Sequence, residues 1–382
     1  MSTPTRSPES DIHHSRMDDL SGIVPSPVRP TSDRPLLLIG LGAVAVWLVL
    51  WQVVGLHMVV GLVVGYLAFL LVSYLYYRAA GGQRVGLDIV VRWLVYAAFV
   101  CAVVPLISML WTVIGQGLPL AFEWFFISTD MKGITGTHDQ AYAAGEGPLV
   151  GGAGHAIIGT LIVTGLATVI SVPIGMFTAI YLVEYGGKNA LARGIRFLVD
   201  VMTGIPSIVA GLFAFALFTQ IFGIRDAKMG LAGAVALSVL MIPTVVRNSE
   251  EMLRIVPNEL REASLALGVP KWRTIAKVVL PTAASGLASG ITLAIARVIG
   301  ETAPLLVAIG FAREFNWNFL EGPMNTLAVY TYWMFTKPLS PAVIEPSQER
   351  AWAAALLLVI LVVALNLLAR FIAKIFAPKS GR

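Results

Sequence analysis

Residues 261–281 read REASLALGVPKWRTIAKVVLP, a polar stretch that lies between two strongly apolar segments. Before it, Asn258 can cap a short helix, and Gly268 can end that helix in the left-handed conformation. Pro270 suits the first turn of a second helix. The stretch therefore predicts two short helices joined by a turn, lying across a membrane surface and able to dock into a groove of another protein. A plain amphipathic connector resting on lipid headgroups would show the same helical pattern.

The chain is strongly apolar: of its 382 residues, 57% are hydrophobic and only 13% are charged. Soluble domains carry roughly 25% charged residues, and a soluble fold with half that share would expose too much apolar surface. We therefore predict an all-α polytopic membrane protein. A helix needs about 20 apolar residues to cross a bilayer. Eight stretches come close to this length: 36–54, 58–77, 93–114, 155–182, 197–222, 230–247, 282–311 and 352–373.

Lysine and arginine are concentrated in alternate loops, which the positive-inside rule places in the cytoplasm. These cationic segments are 78–92, 188–196, 247–277 and 370–382. The loop 115–154, in contrast, has one cation, Lys132, against four carboxylates. We therefore predict that both termini and the loop around Glu262 are cytoplasmic. The net charge of +5 follows from this topology and requires no nucleic acid partner.

Composition divides the chain into three parts. Residues 1–35 are rich in Ser, Thr, Pro, Asp and Arg, and we expect them to form a disordered cytoplasmic tail. Residues 36–77 should form a transmembrane hairpin. Residues 93–376 should form the main transmembrane domain, which contains the cytoplasmic loop 248–281.

Charged residues interrupt the long span 282–311, which we expect to be tilted or broken. Arg297 and Glu301 are four residues apart, so in a helix they would share a face and could pair. A charge at mid-bilayer costs at least about 2.5–3.5 kcal/mol, so such residues usually face a cavity or a partner. A guanidinium suits oxyanions because its fork matches two phosphate oxygens. Arg247 is a second candidate contact. The alternatives are a mutual ion pair that only pins helices and, for Arg247, a membrane-interface anchor.

The cytoplasmic stretch resembles the EAA loop of ABC-importer permeases, at which a membrane subunit meets its ATPase. The family spacing is Glu-Ala-Ala, three residues, Gly, nine residues, then Ile-x-Leu-Pro. The residues that match it, with Ser in place of the second Ala, are Glu262, Ala263, Ser264, Gly268, Leu280 and Pro281. The resemblance implies that these six residues couple the chain to an ATPase.

Three further segments, 204–212, 242–247 and 295–306, resemble the PstA-type permeases of the phosphate-specific ABC importer. The similarity runs from about residue 95 to the C-terminus. It implies a six-helix permease core, to which the hairpin 36–77 is an addition. It also implies that phosphate passes Arg247, Arg297 and Glu301 during ATP-driven alternating access.

Two GxxxG pairs predict close packing, because glycine lets helix backbones approach each other. Gly61 and Gly65 lie in the hairpin and could pack on a neighbour. For Gly286 and Gly290, in the charged span, we expect contact with a partner permease.

The sequence contains no P-loop motif, so we expect no ATP binding by that route and no enzymatic activity. It also contains no set of metal-spaced cysteines. The resemblance implies a PstC-type permease partner, two PstB-type ATPases that bind ATP and Mg, and a PstS-type phosphate-binding protein. The complex would lie in a bacterial inner membrane.

Three other functions stay open at this point. The chain could be a permease for another oxyanion such as sulfate, molybdate or phosphonate. It could also be an ion-coupled transporter or channel, which would not need the Glu262 loop and should show inverted repeats. A non-transporting scaffold or sensor arm is the third alternative.

Overall fold

A computed structural model describes residues 34–53, 55, 57–187 and 189–376. The predicted tail 1–35 lies outside these residues, apart from Arg34 and Pro35, which begin the first helix. The described elements are helices, apart from one isolated bridge between Ser340 and Val343. The chain forms two compact units, and the boundary between them in the sequence falls after residue 106.

The first unit consists of α1 (Arg34–Gln52), α2 (Met58–Gly81) and the first half of α3 (Gln83–Ala121). Helices α1 and α2 form the predicted hairpin. A Cβ at Gly65 would lie 3.1 Å from the Ala43 carbonyl oxygen, and one at Gly61 would lie 3.2 Å from Cδ1 of Trp47. This GxxxG pair therefore brings α1 and α2 together within the hairpin.

The first half of α3 packs on α2. Only Gly82, at φ +89°, separates the two helices. The Tyr66 hydroxyl donates to the Trp93 carbonyl oxygen at 2.7 Å, and Phe69 meets the Trp93 ring edge-to-face at 5.1 Å. These contacts join the start of α3 to the hairpin, and the first unit extends to residue 106.

The second unit contains the remaining helices and two π-helical turns, Tyr181–Tyr185 after α6 and Ile275–Val279 after α11. The helices are α4 (Trp124–Ser128), α5 (Gly136–Ala143), α6 (Gly154–Ile180), α7 (Ala190–Thr203), α8 (Ser207–Phe222), α9 (Gly230–Ile255), α10 (Asn258–Ala266), α11 (Lys271–Thr274), α12 (Leu280–Val298), α13 (Ala303–Ala308), α14 (Leu327–Thr336) and α15 (Glu345–Phe376).

Helix α9 lies at the centre of the second unit and packs on α6, α8 and α12. Its first half is built largely from small residues, and its glycines and alanines there are buried. Gly175 of α6 gives similarly close packing, because a Cβ there would lie 2.6 Å from Cγ1 of Val245. Small side chains on both helices therefore set the short distance between α6 and α9.

Within the described ranges, seven helices are long and apolar enough to cross a membrane, or eight if the bent pair α7–α8 forms one crossing. The predicted span 197–222 is broken between these helices by a bend of 107°. The break falls at Gly204-Ile205-Pro206. A proline has no N–H for the helix ladder and disfavours helical backbone in the residue before it, so α7 ends there.

The long span 282–311 is also broken, as expected. Helix α12 ends at Val298, and the short α13 begins at Ala303. Gly286 and Gly290 face α9 of the same chain: a Cβ at Gly290 would lie 2.8 Å from Cβ of Asn248, whose Nδ2 donates to the Gly290 carbonyl oxygen at 3.0 Å. The prediction that these glycines contact a partner permease is therefore wrong, because α9 occupies this face.

One fully buried ion pair joins α5 to α15. Arg350 Nη2 lies 2.6 Å from Asp139 Oδ1, and both side chains are 0% exposed. The guanidinium also donates to the Val150 carbonyl oxygen at 2.8 Å, and Ser347 Oγ donates to Asp139 Oδ2 at 3.1 Å. Further hydrogen bonds of this kind are what allow two charges to be buried together. The pair fixes the 123–154 segment to the start of α15.

Candidate functional site

The coupling loop forms the predicted helix, turn and helix. Helix α10 ends at Ala266, and Gly268 follows with a φ of +76°, the left-handed conformation that favours glycine. One detail of the prediction is wrong: the residue that caps α10 is Pro257, not Asn258. Asn258 lies in the first turn, where its Oδ1 accepts a hydrogen bond from Nη1 of Arg261 at 3.1 Å.

The second helix of this element is part of a membrane span. Helix α11, the π turn and α12 form one continuous helix, Lys271–Val298, of 28 residues, which corresponds to a length of about 42 Å. The π turn precedes Pro281, and the Leu280 N–H donates to the Ile275 carbonyl oxygen. The wider turn gives room to the proline ring, which would otherwise clash with the Lys277 carbonyl. Trp272 and Arg297 thus lie near opposite ends of one continuous helix.

Two of the predicted coupling residues, Glu262 and Ala263, lie on an exposed surface together with Leu265, Leu267 and Trp272. We call this surface the docking face. Leu267 is 83% exposed and Trp272 is 60% exposed. Isolated exposed apolar side chains are common, but several together on one surface are typical of a binding site for another protein.

The other predicted coupling residues support the docking face. Ser264 is half-buried, and its Oγ lies 2.9 Å from Oγ1 of Thr274, which ties α10 to α11. Leu280 packs on the buried cluster that includes Leu253, whereas Pro281 is exposed at the start of α12. Of the six predicted residues, two are thus on the exposed face and two make supporting contacts, while Gly268 forms the turn and Pro281 stays exposed.

Arg261 anchors the docking face to the transmembrane helices. Its Nε donates to Oε1 of Glu184 at 3.0 Å, with the two side chains 15% and 6% exposed. Its Nη2 and Nη1 donate to the carbonyl oxygens of Leu253 and Val256 at 2.8 and 2.6 Å, where α9 ends and leaves carbonyls without helical partners. Lys271 Nζ donates to the Glu184 carbonyl oxygen. The coupling helices are therefore joined to the ends of both α6 and α9.

The structure separates Arg297 from Glu301. Arg297 lies in the last turn of α12, and Glu301 lies beyond the helix end, where its N–H donates to the Val298 carbonyl oxygen at 3.1 Å. No ion pair or hydrogen bond joins their side chains in the described part of the chain. The predicted shared helix face is wrong, because the helix ends before Gly300. Arg297 is exposed and keeps its donors unoccupied by described residues.

Arg247 is already paired. Its Nη2 lies 2.7 Å from Oδ1 of Asp200 and 3.2 Å from Oγ1 of Thr203, both on α7. It lines a cavity of about 250 Å³ in which three arginines face three carboxylates. In a second ion pair of the cavity, Arg196 of α7 lies 3.2 Å from Glu250 of α9, so each helix supplies one arginine and one carboxylate. Neither Arg297 nor Glu301 lines this cavity, so the two predicted oxyanion contacts lie apart.

Comparison with known proteins identifies the family of the chain. Residues 171–382 match the family of binding-protein-dependent transport system inner membrane components. The phosphate transport system permease protein PstA 1 of Mycobacterium tuberculosis is 44% identical over 280 residues, which cover 72% of this chain and 85% of the relative. The phosphate transport system permease protein PstA of Yersinia pestis is 40% identical over 259 residues, which cover 67% of this chain and 84% of the relative.

A solved ABC transporter involved in the import of alginate is also similar, with a TM-score of 0.49 and 14% identity over 76% of this chain and 98% of that chain. The assignment depends on the sequence relatives. They define a class: the chain is the multi-pass inner-membrane component of a binding-protein-dependent ABC transporter. Within that class, it belongs to the PstA-type family of phosphate transport system permeases.

Proposed function

We propose that this chain moves inorganic phosphate into the cytoplasm as the permease subunit of an importer whose ATPase is a separate chain. The observation that carries the proposal is the continuous helix Lys271–Val298, which joins the exposed Trp272 to Arg297, a residue without a partner among those that the structure describes. The relatives are phosphate transport permeases by name, which favours phosphate over sulfate, molybdate or phosphonate.

Coupling begins at the docking face. The ATPase contacts α10 and α11, and ATP binding to that partner displaces them. Because Arg261 holds α10 to Glu184 and to the last carbonyls of α9, the displacement reaches α6 and α9 as well as α12. The helices then move as bodies, which is the hinge or shear motion expected of packed helices.

The two arginines take different roles along the path. Arg297 has free donors and can bind two phosphate oxygens with its fork. Arg247 must first exchange Asp200 for phosphate, since the ion pair occupies its Nη2. Glu301 follows the end of α12 without contacting Arg297, and its negative charge favours release of the anion from this region, because transport requires release as well as binding.

The complete transporter requires further chains. The sequence has one coupling loop of the EAA type, so a PstC-type permease supplies the second loop of a two-fold assembly. Two PstB-type ATPases bind ATP and Mg, and a PstS-type protein delivers phosphate. In the membrane, α7 and α8 count as one crossing, which gives eight spans with both termini on the side of the coupling loop.

One experiment tests the proposal. The chain is co-purified with these partners and reconstituted in vesicles, and ATP hydrolysis is measured with phosphate-loaded and with sulfate-loaded binding protein. The proposal predicts stimulation and anion uptake with the phosphate-loaded protein only. Equal stimulation by the sulfate-loaded protein would show a different oxyanion permease, and uptake without ATP would show a different class of transporter.

A further inference from the structure

The segment 310–325 lies at the end of the second unit opposite to the docking face. Arg261 binds the π turn that follows α6 and the end of α9, and each of these helices is about 40 Å long. Their first residues contact this segment: the Leu231 N–H donates to the Phe319 carbonyl oxygen at 2.8 Å, and a Cβ at Gly154 would lie 2.9 Å from the Phe315 ring. The segment is thus on the far side of the proposed membrane.

A cavity of about 390 Å³ opens beside this segment. Its apolar wall includes Phe311 and Trp333, whose ring centroids are 5.0 Å apart. Its polar lining consists of Arg313, Lys337 and Thr135, and no carboxylate is among the lining residues. Lys337 Nζ lies 4.1 Å from the centroid of the Trp333 ring.

The two cations of this cavity have no acidic partner in the described residues. Nη1 of Arg313 meets only the Ile134 carbonyl oxygen, at 3.5 Å. The nearby carboxylates are engaged elsewhere. Those of the surrounding loops are Asp139, bound to Arg350; Glu314, bound to Lys132 at 2.6 Å; and Asp130, which accepts the backbone N–H groups of Lys132 and Phe315.

Two unpaired cations that line one cavity attract a small anion, and a guanidinium with an ammonium suits an oxyanion in particular. Cations on the far side also run against the bias of lysine and arginine toward the cytoplasm.

We propose that this cavity, the outer cavity, binds a tetrahedral oxyanion on the side from which the substrate arrives, ahead of Arg297 and Arg247. The assignment of the anion as phosphate rests on the proposed function. Arg313 and Lys337 bind its oxygens, while Phe311 and Trp333 hold the cavity walls apart. Because the cavity is open, the bound anion exchanges freely and passes on when the helices move.

Chemical protection of Lys337 tests the outer cavity without relying on transport. The purified complex is treated with an amine-reactive reagent in inorganic phosphate or in chloride at equal ionic strength, and modification is followed by peptide mass spectrometry. Phosphate should slow modification of Lys337 about five-fold or more. This factor corresponds to a free energy about 1 kcal/mol in favour of the phosphate-bound state over the free state. Lys132, paired with Glu314, should react at the same rate in both salts and reports correct folding.

The variant Arg313→Gln should lose this protection, and Arg313→Lys should keep part of it. Equal protection in chloride would overturn the inference, since it would show charge screening only. Protection by the phosphate-free binding protein, but not by phosphate, would also overturn it and would show a protein-docking surface.

Uptake measured on the same preparation separates the two proposals. Normal phosphate uptake with an unprotected Lys337 would overturn the outer cavity and leave the proposed function intact. Protection and uptake with sulfate alone would overturn the proposed function and, with it, the identity of the anion.

Discussion

Two arginines of the same chain differ in what surrounds them. Arg247 has a carboxylate partner, Asp200, at 2.7 Å, whereas Arg297 has none among the described residues. An unpaired guanidinium on an apolar span is costly unless something binds it. This contrast makes Arg297 the stronger candidate for direct contact with the transported anion and makes Arg247 a residue that must change partner.

Substitution of Arg297 is the first test at this scale. Arg297→Gln removes a charge-assisted fork worth about 1.5–3 kcal/mol, so phosphate uptake should fall by about ten-fold or more. Arg297→Lys should restore part of it. Uptake is measured in the reconstituted complex. Arg92→Gln, which breaks an exposed ion pair with Asp88 in the first unit, is the matched control and should have little effect. Unchanged uptake in Arg297→Gln would contradict the role.

The buried pair of Asp139 and Arg350 gives a stability prediction. Asp139→Asn leaves the Arg350 guanidinium buried without its counter-ion, which costs about 3–5 kcal/mol. The midpoint of thermal denaturation in detergent should therefore fall by several degrees. Asp88→Asn breaks the exposed pair with Arg92 and should change stability by less than about 1 kcal/mol. Equal effects of the two variants would show that the buried pair has no special role.

Among the structural elements, the coupling helices stand out because they are attached on two sides. The docking face is exposed, while Arg261 on the opposite side reaches Glu184 and the end of α9. A docking helix without such an anchor could move on its own when a partner pulls it. The anchor therefore explains how a contact made at the surface can move transmembrane helices.

Removing the anchor should uncouple transport from ATP hydrolysis. In Arg261→Ala or Glu184→Ala, the docking face is unchanged, so the ATPase should still bind while phosphate uptake falls by about ten-fold. The double variant should be no worse than either single variant, since the two residues act together. Arg193→Ala, which removes an exposed cation of α7 outside the docking face and the anchor, is the control. Additive losses in the double variant would contradict a shared role.

The turn between α10 and α11 gives a second prediction for this element. Gly268 has a φ of +76°, where a side chain costs roughly 1–2 kcal/mol. Gly268→Ala should displace α11 and reduce uptake several-fold without loss of membrane insertion. Gly194→Ala, on α7, places its Cβ in open space at an ordinary φ and should leave uptake unchanged. Equal uptake in both variants would show that the turn does not need its left-handed residue.

For the whole molecule, composition was enough to predict a helical membrane protein, because membrane helices are defined by long apolar runs. The break at Pro206 could also have been predicted, since proline at this position ends a helix. The end of α12 before Gly300 was a weaker signal, and missing it led to the wrong pairing of Arg297 with Glu301.

Contacts between residues far apart in the chain could not be predicted from the sequence pattern. Arg261 and Glu184 are 77 residues apart, and Arg350 and Asp139 are 211 apart, so no helical or strand spacing connects them. The same holds for the outer cavity, whose lining comes from three separate loops and helices. Only the packing of elements far apart in the chain, such as α5 on α15 or α10 on the turn after α6, brings these residues together.

The central claim is that the docking face moves the region around Arg297 through one continuous helix. Cys101 is the only cysteine, so Cys101→Ser combined with Gly300→Cys gives a single thiol beside Arg297, at a position where a Cβ meets open space. The measurement is the rate at which a water-soluble maleimide labels this thiol in the reconstituted complex, with and without ATP and vanadate.

The account predicts that trapping the ATPase changes this rate by about five-fold or more, and that Gly268→Asp in the coupling turn abolishes the change. A rate that is the same in both nucleotide states, in a complex that still hydrolyses ATP and imports phosphate, would contradict it.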